Sequence, residues 1–328
     1  AAIESLARDG DTIELSLDID RASEKINLDL VVAARPDTPM AAALKEFSGR
    51  KSAYSSLASN APLAGWMSFP VPKEMSKAML DLFDQTKKEQ TEKAKTDEEK
   101  ALIAKVHEIV AKTLAEGNVD LGLALQGPFK NAAGETRYAM AAAVKLGQIK
   151  EIEKLLREEI LPKLPADHST KLTLDAAKAD DGTPIHKIEA RSDDKPDADF
   201  TRRFGATVLW VATTGDNLLL VVGEEGLTTM KQAIAGITGP DAAQGEPVAV
   251  EARLNTLGEA VSKPEDLAAA REAASVAFAD GKAERDHFGT RLKVDGEAVR
   301  IQMTFDGPTF KYFSMIGARQ RMALPAGN

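Results

Sequence analysis

Residues Val208–Lys231 read VLWVATTGDNLLLVVGEEGLTTMK. Two apolar runs flank a Thr-Gly-Asp-Asn turn, and a Gly-x-x-Gly then opens a run with Leu227, Met230, Ile234 and Ile237 at helical spacing. Gly beside Asp or Asn suits the positive φ of a tight hairpin turn. The stretch therefore predicts a β-hairpin followed by an amphipathic helix. The rival reading, a phosphate-binding loop, fails on chemistry. GEEGLTT lacks the four-residue gap and following Lys-Ser/Thr of a P-loop. Glu224 and Glu225 would stand where a phosphate must sit, and carboxylates at a helix start repel a bound anion. The two glycines, Gly223 and Gly226, are read as permissive turn residues.

The same unit recurs on both sides. Ile13, Leu15, Leu17 and Ile19 alternate with Glu14, Ser16 and Asp18, and Ile26, Leu28, Leu30 and Val32 answer them before an Ala-rich helix from Met40 to Phe47. Val119–Leu125 and Tyr138–Leu146 form a third hairpin, with Ile149, Ile152, Leu155, Leu156 and Ile160 on the helix that follows. Arg291–Val294 and Val299–Phe305 form a fourth across Asp-Gly-Glu-Ala, and the next helix starts at Asp306 or Gly307 with Pro308 in its first turn and Phe310 and Phe313 facing inward. Between hairpins lie single strands and pairs of helices, around Trp66–Glu116 and Pro247–Ala279. The order of elements over about residues 11–161 returns over 207–317. An extra hairpin, KLTLDAAKADDGTPIHKIEA, and a short helix near Phe200 stand between the passes.

The expected class is α+β: mostly antiparallel sheets, each covered on one face by helices, in two architecturally similar halves produced by internal duplication. The expected domains are residues 1–166 and 167–328, parted in the Leu164–Thr170 stretch LPADHST. Polar faces such as Glu14/Ser16/Asp18 and Asn27/Asp29 suit sheets with one wet side. The hairpin 208–222, apolar on both faces, belongs in the centre of a sheet or under the other half.

Composition narrows the function. The chain has 328 residues, 43% apolar and 5% aromatic, with a net charge of −9 and no cysteine. The acidic balance argues against nucleic acid, and no apolar run reaches the roughly 20 residues of a membrane span. Zero cysteine removes disulfides, thiol nucleophiles and Cys-metal sites, and suits an exported protein. The chain opens AAIESLARDG without Met, as after removal of a signal peptide or inside a longer protein.

Chemistry-bearing clusters are sparse. His107, His168, His186 and His287 are scattered, so no metal pair is local, and no cofactor or metal is expected. Asp286–His287, in Arg-Asp-His-Phe-Gly, puts a carboxylate beside an imidazole. Asp180–Asp181 falls in a turn, and Asp193, Asp194, Asp197 and Asp199 form an acidic loop short of a calcium pattern. Asp84–Lys100 is a mixed-charge run, a solvated helix end or an arm for a partner. Trp66 and Trp210 sit in apolar strands as core residues, with a ligand platform as the alternative.

The alternating strands such as TIELSLDID and NLLLVVG, each followed by a short amphipathic helix, resemble uncharacterised exported bacterial proteins built from tandem β-hairpin–helix units. That resemblance spans most of the chain and implies an extracytoplasmic location, periplasmic or secreted, with no catalytic residues to carry over. The expected function is a non-enzymatic binding or scaffold protein for a protein or apolar small-molecule partner. The alternatives are a carrier of an apolar ligand between sheet and helices, and a hydrolase assembled from distant residues. The candidate ligand-binding residues are Trp210, Trp66, His287 and Asp286.

Overall fold

The computed structural model describes the chain apart from residues 1, 72, 95, 116, 161–169, 191–196, 240–243, 264, 280–283 and 324–328. Helix α1 (Ala2–Asp9) leads into the hairpin β1 (Gly10–Asp20) and β2 (Lys25–Ala34), then α2 (Pro39–Phe47), a 3-10 turn at Ser55–Ala58 and β3 (Leu63–Pro70). The long helices α3 (Lys73–Lys93) and α4 (Asp97–Ala115) follow, then the hairpin β4 (Asn118–Lys130) and β5 (Thr136–Lys145), and α5 (Ile149–Lys154) running into a π-helical turn at Leu155–Ile160. The inserted hairpin is β6 (Thr170–Lys178) and β7 (Pro184–Ala190), with α6 (Ala198–Phe204) after it. The opening stretch is β8 (Val208–Thr214), β9 (Asn217–Val222) and α7 (Gly226–Thr238). The chain then runs through β10 (Val248–Arg253), α8 (Leu254–Val261), α9 (Leu267–Ala277), β11 (His287–Asp295), β12 (Ala298–Asp306) and α10 (Gly307–Ala323).

The α+β, antiparallel class holds, and all twelve strands lie in one sheet, in the order β1-β2-β12-β11-β10-β3-β4-β5-β9-β8-β7-β6. The halves of the chain share it: β2 pairs with β12, β3 with β10 and β5 with β9. The order of the ten strands from β1 to β8 reverses onto itself when β1, β2, β3, β4 and β5 exchange with β8, β9, β10, β11 and β12. This is a symmetry of connection. Common descent of the two halves is a proposal, tested by whether their five strands superpose pairwise. The break expected at LPADHST lies outside the described residues, save Thr170 at the start of β6.

Charged residues 84–100 fall where α3 and α4 pack antiparallel. A reciprocal capping box starts α4: the Glu99 backbone N–H donates to Thr96 Oγ1 and the Thr96 N–H to Glu99 Oε2.

The opening hairpin is interior to the sheet, with β5 on one side and β7 on the other. Its side chains at Trp210, Ala212, Leu219 and Val221 share a face with Ala64 and Trp66 of β3 and with Ala124, Ala141 and Ala143. Tyr54 and Leu57 by the 3-10 turn and Met230, Ala233, Ile234 and Ile237 of α7 close over it as the main core. Small alanines in the sheet leave room for these large partners. Full burial of Met230 and Ile234 contributes about 1.5–3 kcal/mol each.

The two glycines do different work. Gly223 has φ +132° and lies under the Tyr138 carbonyl, a conformation that excludes a side chain. Gly226 is needed for space: a Cβ there would stand 2.5 Å from Trp210 Cδ1. Glu225 precedes α7 without a side-chain cap bond. GEEG is thus a packing turn.

The opposite face is where expectation and structure part. Ile13, Leu15, Leu17 and Ile19 do not enter a core; each is between 56% and 69% exposed. Strand β1 ends the sheet, so its apolar side gains cover from β2 alone, and no described helix closes over it. Phe310 and Phe313 likewise stay about half exposed on α10, while Tyr312 faces inward against Phe278. The inward stripe of α10 is one residue out of step with the expected one.

Overpacking of the tryptophan pocket gives a direct check. Helix propensity alone favours Ala over Gly by up to about 1 kcal/mol, yet Gly226→Ala is expected to destabilise the protein by about 1–3 kcal/mol. Chemical denaturation decides the sign, and a stabilised variant would refute the packing account.

Candidate functional site

The four sequence candidates separate into distinct places. Trp66 is buried, and its Nε1 donates to the Glu246 carbonyl at 3.0 Å. Trp210 is buried against Gly226, with the Lys187 ammonium 5.4 Å from its ring centroid. Both rings share the main core and are not ligand platforms on an open surface. The region around Trp210 and Met230 is filled by side chains.

Asp286 and His287 do not form a dyad. The Asp286 carbonyl accepts the Leu254 N–H at 2.9 Å and its carboxylate accepts the Asn255 N–H at 3.1 Å. It caps α8 from outside, as a remote stand-in for an N-cap residue. Burial pushes its carboxyl pKa up. Asp286 lies just before β11, whose first residue is His287. Its ring lies against Gly289 and lines a cleft of about 600 Å³ with Lys25, Glu251, Arg253, Arg285, Arg291 and Asp306. Arg253 pairs with Asp286, Arg285 with Glu24, and Arg291 with Glu251. Among the described residues the His287 ring has no hydrogen-bond partner. A catalytic imidazole needs its second nitrogen oriented by a fixed partner.

A denser polar cluster escaped the sequence reading. His186, in β7, is 2% exposed. The Asp175 backbone N–H donates to its Nδ1 at 3.1 Å, so the proton sits on Nε2, 3.3 Å from Glu153 Oε1. Thr213 Oγ1 donates to Glu153 Oε2 at 2.7 Å, Arg157 Nε to Glu153 Oε1 at 2.6 Å, and Arg157 forks onto both oxygens of Asp175. Burial raises the Glu153 pKa, but these bonds and the nearby His186 outweigh it and hold the carboxyl below its usual range. Glu153 lies between the hydroxyl and the imidazole, so Thr213 and His186 share one carboxylate and do not bond to each other. The cluster pins α5 to the sheet. Its members come from α5, the π-helical turn after it, β6, β7 and β8, and of them only His186 was singled out from sequence.

The other residues weighed from sequence have structural duties. His107 is buried, stacked on Phe83 at 4.1 Å and 3.4 Å from Gln90 Oε1. Burial lowers its pKa. The Asp181 carboxylate accepts from the Thr183 N–H and from Thr238 Oγ1. Asp197 caps α6, and Asp199 pairs with Arg202 and Arg203. His168, Asp193 and Asp194 lie outside the described residues. Among the described residues no three His, Asp or Glu gather as a metal site, and no helix is long and apolar enough to cross a membrane.

One face of the sheet remains exposed. Register carries Leu15 of β1 across to Leu30, Ile301, Leu292, Val248 and Met67, and Leu17 across to Leu28, Met303 and on to Val250. Helices α8, α9 and α10 cover one margin, where Ala252, Leu254, Phe278 and Tyr312 form a second, smaller core with Leu63 and Phe288 at its edge. Beyond it the floor is open: Met67, Leu123, Met140 and Val250 are all exposed, as are the four aliphatics of β1. No family model matches the sequence, and no curated protein or solved structure is significantly similar to it.

The half-buried imidazole of His287 gives a pH signature. Desolvation is the largest influence and holds its pKa below the ordinary value of about 6.5. Protonation therefore favours the unfolded chain. This contribution is complete above pH 6.5 and declines as pH falls through the imidazole range. In urea titrations between about pH 7 and 5, His287→Gln is expected to lose less stability than wild type. Equal losses would refute it.

Proposed function

We propose that this chain is a non-enzymatic binding protein whose working surface is the open apolar face of β1, β2 and β12. One observation carries the reading: four aliphatic side chains project from one strand onto a continuous aliphatic floor, with more than half of each exposed. Scattered exposed aliphatics are ordinary, whereas contiguous ones mark interaction sites. The sequestered roles of Trp66, Trp210 and Asp286 support a surface away from the sequence candidates. An extracytoplasmic setting belongs to the proposal, and the absence of cysteine is compatible with it. Fractionation of cells making the natural gene product tests it.

A second reading, carriage of an apolar small molecule, is supported by a groove of about 500 Å³ between the β1–β2 turn and helices α9 and α10. Ile19, Ile26, Val276 and Pro308 line it. The groove continues the open floor, and its volume falls in the usual range for a ligand pocket.

Binding of the neutral dye Nile red separates surface from scaffold. Leu15→Lys with Leu17→Lys removes no buried contact, so stability is expected to stay within about 0.5 kcal/mol per site. Dye binding is expected to fall at least fivefold. Undiminished binding in the folded variant would overturn the proposed surface, and retention lost instead on Val276→Lys would move the site into the groove.

A further inference from the structure

We propose that the free edge of β1 is an acceptor for an extended segment of a partner protein, one that alternates apolar and basic residues and adds a thirteenth strand to the sheet. The inference rests on the proposed apolar face and names what docks there. Strand β1 is eleven residues long, exposed along nearly its whole length, and hydrogen-bonded to β2 on one side only. Its outer backbone groups are a template for strand addition.

Charge chooses the occupant. The strand carries Asp11, Glu14, Asp18 and Asp20 and no Lys or Arg. Asp20 is taken up by the turn, accepting from the Ala22 and Ser23 N–H groups and Ser23 Oγ. Asp11, Glu14 and Asp18 have no ion-pair partner among the described residues. Exposed edges are commonly guarded by charge, which discourages random pairing. Here the charge is of one sign, so it also selects. Glu14 and Asp18 stand on the opposite face from Ile13, Leu15, Leu17 and Ile19. An added strand would therefore set apolar residues beside those four and a Lys or Arg beside each carboxylate, four positions apart. Opposite charges across a strand pair are favourable, and like charges are not. A second copy adding its own β1 antiparallel about Ser16 would bring Glu14 against Asp18, which disfavours self-pairing. Anionic lipid is disfavoured by the same carboxylates.

The probe is a fluorescein-labelled peptide, Val-Lys-Val-Thr-Val-Lys-Val, titrated with the full chain and read by anisotropy. Saturable binding is expected, weakened at least tenfold by Glu14→Lys with Asp18→Lys. It is expected to weaken as much when the peptide is N-methylated at alternate amides or reordered to Lys-Val-Val-Thr-Val-Val-Lys. Because both carboxylates are exposed, the variant should melt as wild type does. Should it fail to fold, the methylated peptide on wild-type protein still decides. Equal affinity for all three peptides overturns strand addition. So does chain dimerisation in sedimentation that the charge variant abolishes, or binding to phosphatidylcholine vesicles that the peptide does not compete. If dye binding still depends on Leu15 and Leu17 in those cases, the apolar-face reading stands and only its named occupant falls.

Discussion

Register is the constraint on which the molecule depends. Because side chains alternate across a strand, pairing Leu15 with Leu30, Leu30 with Ile301 and Ile301 with Leu292 assigns the whole apolar set of four strands to one face. A slip of one residue would turn that set over and bring Glu14, Asp29, Gln302 and Arg291 onto it. The same rule, continued through β10 and β3, delivers Trp66 and Trp210 to the other face, where α7 and the 3-10 turn bury them. One sheet thus has two sides of unlike chemistry at its two ends: a closed alanine-and-tryptophan core under α7, and an open aliphatic floor at β1.

Closure of the sheet ends also explains where the polar groups went. Buried polar atoms must find partners, so Asp286 turns to the bare amides of α8 and Glu153 gathers Thr213, Arg157 and His186. Both clusters have the residue types of an active site, and in both the hydrogen bonds point to fastening helices onto strands. The carboxylate of Glu153 is the hub of its cluster, where a triad would have the imidazole. The His287 cleft has the converse character: its imidazole is unoriented, and each arginine in it is already matched to a carboxylate. Among the described residues neither His186 nor His287 is hydrogen-bonded to a side-chain hydroxyl. The surface proposed for recognition lies at β1, and the acids on the opposite face of that strand give its free edge a sign.

Much of the local structure was legible in the chain. Period-2 alternation located the hairpins, period-3.6 stripes located α7 and α4, and the Asp-Gly turns fixed where strands reverse. Composition and spacing also disposed of the phosphate loop, since Glu224 and Glu225 occupy its mouth. The Asp286–His287 pair was the misleading signal. Adjacency in sequence made no pair: Asp286 lies just outside β11, and the partner that matters to it is the start of a helix 31 positions away.

The sequence alone determined the element types, their order and the two faces of each strand, because those follow from backbone sterics and side-chain period within a few residues. It did not determine which strands become neighbours. That β12 inserts beside β2 and β9 beside β5 rests on long-range pairing, in which hydrogen-bond edges carry no residue code. Burial is decided at the same level. Ile13–Ile19 and Ile26–Val32 are alternating aliphatic strands of similar pattern, yet the second lies between two strands and the first borders the solvent. An aliphatic stripe states that a face prefers to be covered; only the tertiary structure shows that β1, at the end of the sheet, has no described element left to cover it.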